Sequence, residues 1–207
     1  MKLSSNAFTD NAAIPGEYAF AIPDAASRYA LSSNRNPHLA WTEVPEQTQS
    51  FVLICHDPDV PSVGDDVNQE GKSIAVSLPR VDFYHWLLID IPANQREITE
   101  GSHSDSITPR GKSGPQTADG QRHGINDYTG WFASDPQMSG EYYGYDGPCP
   151  PWNDERLHRY VFTVYALDVP GLAIHGPVNG PSILDALQGH VLAKASLTGT
   201  YTLNMNL

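Results

Sequence analysis

A mostly β domain carrying one late helix is the fold this sequence predicts, and three observations predict it. Short apolar runs rich in β-branched and aromatic residues recur along the chain, and stretches punctuated by Pro and Gly separate them. Only one long segment repeats its apolar residues at spacings of three and four.

The strand runs are 50–55 (SFVLIC), 84–91 (YHWLLIDI), 160–167 (YVFTVYAL) and 200–205 (TYTLNM). The first is apolar on both faces, which predicts a strand in the middle of a sheet, covered on both sides. Stretches 57–61 (DPDVP) and 146–152 (DGPCPPW) read as loops, because Pro forbids helix and removes ladder donors. The helical spacing joins Ile183, Leu184, Leu187, Val191 and Leu192, with Ser182 as cap and Asp185 three residues on, so a helix is predicted near 182–195. Gly189 weakens that helix by roughly 1 kcal/mol relative to Ala. Segments 60–81 and 100–120 are long, polar and Gly-rich, the kind of loop that carries function.

Composition excludes several classes. The chain has 207 residues, 24 acidic against 12 Lys and Arg, a net charge of −12, and 40% hydrophobic residues. That length and apolar content predict one domain over 1–207 with its own core, rather than a disordered chain. The acidic balance argues against non-specific nucleic-acid binding, so an anion must be caught locally. No apolar window is long enough for a spanning helix. Two cysteines, Cys55 and Cys149, make no disulfide framework, and residues 1–18 lack a basic and then apolar leader pattern. A cytoplasmic protein with free thiols is the expectation.

The commonest catalytic signatures are absent. Gly71-Lys72-Ser73 and Gly111-Lys112-Ser113 lack the glycine a phosphate loop needs upstream, where Asp66 and Ser106 stand. There is no G-x-S-x-G, H-E-x-x-H or C-x-x-C. Cys149 reads more simply as a small side chain in a tight loop than as a reactive thiol.

Polar groups nonetheless cluster at the ends of strongly apolar strands: Asp57 and Asp59 after the first run, His85 inside the second, and His158-Arg159-Tyr160 opening the third. Each alone has a plain explanation, a satisfied core histidine or an aspartate turning the chain before proline. Together and in order, D-P-D-V-P, H-W, G-P-C-P-P and H-R-Y resemble the phosphatidylethanolamine-binding protein family, in particular its bacterial Raf kinase inhibitor-like branch. The likeness extends through 36–41, Val44-Pro45, Ile91-Pro92-Ala93, 124–128, 160–169 and 189–201. Val60 stands where that family usually has Ala, His56 precedes the motif, 62–81 is longer than in compact members, and 152–157 lacks a common glycine.

The resemblance implies an antiparallel Greek-key β-sandwich with a small anion pocket at one end. Carried over by position, Asp57, Asp59, His85, Gly147, Pro148, Cys149, Pro150, His158 and Tyr160 would form it. The residue types suit an anion, since His rings, loop N–H groups and a Tyr hydroxyl all donate. Asp57 would act behind a histidine, accepting one ring N–H while the other meets the ligand, with His158 the first choice for that contact. Anion affinity should then weaken as pH rises through that histidine's pKa. Arg159 falls on the opposite strand face and reads as structural.

The implied function is a non-enzymatic binding protein for phosphate or a phospholipid head group, possessing no cofactor, with a protein kinase or protease as regulated partner. An enzyme using Asp57, His85 and His158 as a metal or acid–base set is the alternative, and an interaction protein with a vestigial pocket is a third. The branch also implies a homodimer. Trp131-Phe132, or Tyr142-Tyr143 with Tyr145, would anchor it unless those rings pack beneath the long loops.

Overall fold

The computed structural model describes all 207 residues, Met1–Leu207. In chain order it contains β1 (Lys2–Ser4), β2 (Ala12–Ala13), β3 (Ala21–Asp24), β4 (Arg28–Leu31), β5 (Leu39–Thr42), β6 (Ser50–Pro61), β7 (Arg80–Pro92), β8 (Glu97–Ile98) and β9 (Arg122–His123). A short helix α1 (Tyr128–Trp131), β10 (His158–Leu167), α2 (Gly180–Ala186) and β11 (Val191–Tyr201) follow. The fold is mainly β, as the apolar runs predict.

Six strands form the principal sheet in the order β2-β11-β10-β6-β7-β9, antiparallel except for the β2–β11 pair. Three more form a small sheet, β1-β5-β8, and β3 and β4 form a hairpin. β6 is central and buried on both faces, as its unbroken apolar run requires. Phe51, Leu53 and Cys55 point into the larger core with Trp41 of β5, Trp86 and Leu88 of β7 and Phe162 of β10. Val52 and Ile54 point the other way, into a second core with Leu87, Ile89, Leu172 and the α2 residue Ile183. Each large side chain buried this way contributes on the order of 1.5–3 kcal/mol.

Three expectations need correction. The chain from Asp57 to Pro61 is not a loop but the continuation of β6, paired with Phe83, Val81 and Arg80 of β7 through a register shift between Asp57 and Val60. Pro58 is tolerated because β10 pairs with β6 only as far as His56, so one side of this stretch has no ladder to break. The predicted helix ends at Ala186, and its N-cap is Asn179, whose side chain accepts the Ser182 N–H while Ser182 reciprocates. Gly189 takes φ +82°, and Val191–Tyr201 runs as β11 along the whole of β10. Sheet pairing overrides the helical spacing of Val191 and Leu192. The last strand accordingly begins nine residues before the predicted 200–205 run and ends at Tyr201.

The long segment between β6 and β7 is fastened to the stretch before β10. The Asn153 side chain accepts from the Asn68 N–H at 3.0 Å and donates to the Asp66 and Lys72 carbonyls, and Asn68 in turn accepts from the Trp152 N–H. Ile74 exchanges backbone bonds with Asn153 and Glu155. Arg28 at the β3–β4 turn pairs with Glu70 and lies over the Trp152 ring. The insertion and the segment without its common glycine are thus one structural unit.

Candidate functional site

β6, β7 and β10 lie side by side, so Asp57, His85 and His158, far apart in sequence, come together at one end of the sheet. They line a cavity of about 310 Å³. Its floor holds Asp57, His85, His158 and Tyr160, the 146–151 loop contributes Cys149, Pro150 and Pro151, and the walls are apolar: Phe20, Phe83, Tyr128, Phe132, Met138 and Leu203. At the mouth stand Tyr29, Leu31 and Trp131, all exposed, with Val67 and Asn68 of the insertion.

His158 is enclosed by carboxylates. Its Nδ1 lies 2.7 Å from Asp57 Oδ2 and its Nε2 lies 3.0 Å from Asp154 Oδ2, and all three side chains are buried. Ionised carboxylates only accept, so both ring nitrogens donate and the ring is an imidazolium. Burial opposes that charge, but the hydrogen bonds to Asp154 and Asp57 and their negative charges outweigh it and raise the pKa to about 9. Arg80 donates to Asp154 from the far side, with one contact at 3.0 Å. Burial works against the Asp154 carboxylate as well, yet His158 and Arg80 hold its pKa below the ordinary value. Arg80, Asp154, His158 and Asp57 form a buried row whose formal charges cancel.

This arrangement changes the expected roles. Asp57 does orient His158, but the second N–H of that ring meets Asp154, not the cavity. The nitrogen available to a ligand belongs to His85. Its Nδ1 lies 2.7 Å from the Asp146 carbonyl oxygen, which can only accept, so Nδ1 carries the proton. His85 Nε2 has no partner within the protein, and burial lowers the ring's pKa despite Asp57 and Asp146 nearby. Phe83, Tyr128 and Tyr160 box the imidazole at centroid distances of 5.0–5.6 Å. The Tyr160 hydroxyl is buried without a partner in ordinary hydrogen-bond geometry, with the Asp57 carboxylate beside it, and the Cys149 N–H donates to no group of the protein.

Asp59, Gly147 and Pro148 do not line the cavity. Asp59 is turned away, held by Arg159 at 2.8 and 3.0 Å and by Arg156 at 2.9 Å; burial opposes its charge, but the two guanidinium groups lower its pKa to about 2. Its N–H donates to Asp57 Oδ1, which fixes the second oxygen of that carboxylate. Arg159 is therefore half of an ion pair on the outer face. Gly147 is required by close packing, since a Cβ there would sit 2.1 Å from the Tyr18 carbonyl oxygen. The Pro148 carbonyl accepts from Phe20 and Ala21. Both residues fasten the loop to the scaffold.

Loop placement depends on a buried carboxylate that sequence reasoning passed over. Asp146 Oδ1 accepts from Lys112 Nζ at 2.7 Å and Asn34 Nδ2 at 2.8 Å, and Oδ2 accepts from Asn126 Nδ2 at 2.9 Å. Asp146, Asp154, Arg80, Lys112, Asn34 and Asn126 all serve the site although sequence pattern marks none of them as a site residue. Asp146 opens the 146–152 stretch and Asn126 stands in 124–128, segments that the sequence marks for loop character or family likeness.

The metal alternative meets a geometric obstacle. Both nitrogens of His158 are bound to carboxylates, and no group of three or more His, Cys, Asp or Glu side chains could hold a metal ion. Burial pushes the Cys149 thiol up to about 12, so it is uncharged at neutral pH. Of the rings considered as dimer anchors, Tyr142 and Tyr145 are fully buried, and Trp131 stands exposed at the cavity mouth. No helix is long and apolar enough to cross a membrane.

Known proteins share this arrangement of chain. The UPF0098 protein YbhB of Escherichia coli is 30% identical over 98% of this chain and 100% of its own length. A UPF0098 protein of Methanothermobacter thermautotrophicus is 31% identical over 97% of this chain and 98% of its own. Among solved structures, a phosphatidylethanolamine-binding protein homologue from Chlamydia trachomatis superposes with a TM-score of 0.63 at 27% identity, covering 97% of this chain and 95% of that one. Escherichia coli YbcL, described as a member of the mammalian family, superposes with a TM-score of 0.65 over 97% of both chains; at 22% identity it speaks for the fold alone. The family model for phosphatidylethanolamine-binding protein matches residues 4–202, from β1 to just past β11. Sequence, relatives and fold agree: the chain belongs to the phosphatidylethanolamine-binding protein family.

Proposed function

We propose that the protein is a binding protein, not an enzyme, for a small phosphate-bearing ligand whose head sits on the cavity floor and whose apolar substituent lies against the walls and mouth. The reading includes a Greek-key sandwich, the six- and three-stranded sheets as its two leaves. The buried Tyr160 hydroxyl carries the proposal, because it meets no group of the protein in ordinary hydrogen-bond geometry and only the Asp57 carboxylate stands near enough to compete for its proton. His85 and Cys149 line the same cavity, and neither the Nε2 of the first nor the N–H of the second is engaged by the protein, so polar groups of both kinds are available within apolar walls. A phospholipid head group or a phosphorylated peptide satisfies this chemistry equally, and control of a protein kinase or protease is the downstream role that family likeness implies.

Titration by NMR with inorganic phosphate, phosphoethanolamine and phenyl phosphate tests the reading. Saturable shifts at Tyr160, His85 and Cys149, lost or at least tenfold weaker in Tyr160→Phe, are expected. Phenyl phosphate should bind more tightly than inorganic phosphate, because its ring buries apolar surface. Absence of binding by all three would overturn the proposal.

A further inference from the structure

The hydrogen-bonding groups on the cavity floor are of mixed kind, and a partner outside the cavity fixes which way the His85 ring points its proton. The Asp146 carbonyl takes the Nδ1 proton of His85, so the neutral ring offers Nε2 only as an acceptor. The second acceptor is the Asp57 carboxylate, whose oxygens already receive His158 Nδ1 and the Asp59 N–H. The donors are the Tyr160 hydroxyl and the Cys149 N–H.

A fully ionised oxyanion has no hydrogen to give. Placed on this floor it would meet the two donors well, but it would press a lone pair against His85 Nε2 and bring its charge beside Asp57. An oxyanion with one hydroxyl resolves both conflicts, since its O–H donates to an acceptor while its remaining oxygens take the two donors. A buried acceptor left facing another acceptor loses its hydrogen bond without replacement, and one such mismatch discriminates ligands by about tenfold or more.

The charges around His85 keep it in the accepting form. The groups facing it are Asp57 from β6, His158 and Tyr160 from β10, Tyr128 from α1, Phe83 from its own strand, and Asp146 from the loop. The His158 imidazolium offsets Asp57, burial outweighs what remains, and the ring's pKa falls below its ordinary 6.5. Above pH 6.5 His85 is therefore neutral and accepts.

Resting on the phosphate reading of this cavity, we infer that it selects a monoprotonated oxyanion, a phosphate or phosphonate monoester carrying one P–OH, over a fully ionised oxyanion such as a sulfate ester. The recognition element is the relay of Asp146 carbonyl, His85 and ligand hydroxyl, in which the backbone dictates which way the histidine points its lone pair.

Three probes of matched shape separate the possibilities: phenyl phosphate, phenyl sulfate and methyl phenyl phosphate, the last a monoanion without a hydroxyl. Affinities are measured by calorimetry on the wild-type protein at pH 6.5, 7.0 and 7.5. Phenyl phosphate should lose affinity roughly eightfold between pH 6.5 and 7.5, following the fraction that carries one proton about a second pKa near 6. The other two should bind at least tenfold more weakly than the monoprotonated form of phenyl phosphate. Binding of phenyl sulfate within threefold of that form would overturn the inference and leave the phosphate-binding reading standing. No binding by any probe would overturn that reading itself. An independent readout is the ¹⁵N shift of His85 at pH 7 with phenyl phosphate bound: an unprotonated Nε2 accepting a hydrogen bond is expected, and an imidazolium would overturn the selectivity.

Discussion

Two pairs of histidines lie within a few residues of each other along β7, and their surroundings give them opposite chemistry. In one, His158 is gripped between Asp57 and Asp154 and held cationic, with His85 neutral beside it. Further along, His103 and His123 line a polar cleft of about 360 Å³ and touch each other, Nδ1 to Nε2 at 3.2 Å. His123 Nδ1 also approaches the Leu87 carbonyl at 3.4 Å, so it carries the proton and His123 Nε2 accepts from His103. No carboxylate bonds to either ring, and Trp86 packs against His103 at 5.3 Å. Burial pushes His103 down to about 4, and burial with the neighbouring ring pushes His123 down to about 3. Residue type does not decide charge; the accepting groups within reach do.

The largest expected effect comes from breaking the enclosed pair. Asp154→Ala leaves His158 and Arg80 without their shared carboxylate in a buried setting and should cost about 3–5 kcal/mol in urea denaturation. A loss below about 1 kcal/mol would erase the distinction between the two histidine pairs.

The two regions should also respond to pH in opposite senses. His158 has a folded pKa near 9 against 6.5 unfolded, so its contribution is complete below pH 6.5 and is lost as pH rises through about 9. For His103 and His123 the folded pKa is depressed, so the unfolded chain takes up protons first and stability falls as pH drops from 6.5 through about 4 and 3. Melting temperatures across pH 3–10 for the wild type and for His103→Gln check both: the variant should lose the His103 share of the acid limb, between pH 6.5 and about 4, and keep the alkaline one. Asp57→Asn sharpens the contrast at closer range, since it removes one of the two carboxylates from His158 and should lower that ring's pKa by at least one unit in an NMR titration. The smallest effect is expected for Tyr160→Phe. Removing an unpartnered hydroxyl should leave stability within about 1 kcal/mol of wild type, or raise it, while ligand affinity falls. Destabilisation beyond 2 kcal/mol would mean the hydroxyl has a partner inside the protein.

Much of the site was legible as residue types at strand ends. Asp57, His85, His158 and Tyr160 reach the cavity because motifs on three adjacent strands of one sheet must come side by side, and Cys149 and Pro150 reach it from the 146–151 loop. Asp59 was misplaced for a local reason. Two aspartates two residues apart suggest one shared face, whereas the register shift after Asp57 and the guanidinium groups of Arg156 and Arg159 turn the second outward. His158 was given the wrong task because its second partner, Asp154, lies in the irregular segment before β10, where spacing carries no geometric meaning. Asp146 was hidden for the same reason, its three donors arriving from Asn34, Lys112 and Asn126.

By itself the sequence determined a mainly β chain, the double-sided burial of its central strand, the family, and which polar residues would stand at the ends of the apolar runs. These follow from local pattern, since strand burial and strand ends are written in neighbouring residues. Tertiary structure alone decided that Val191 onward would be strand rather than helix, because the whole length of β10 offered hydrogen-bond partners that an isolated helix could not match. It alone decided the charge of each histidine as well. A proton's position depends on which acceptors lie within hydrogen-bond reach, and those acceptors come from remote parts of the chain.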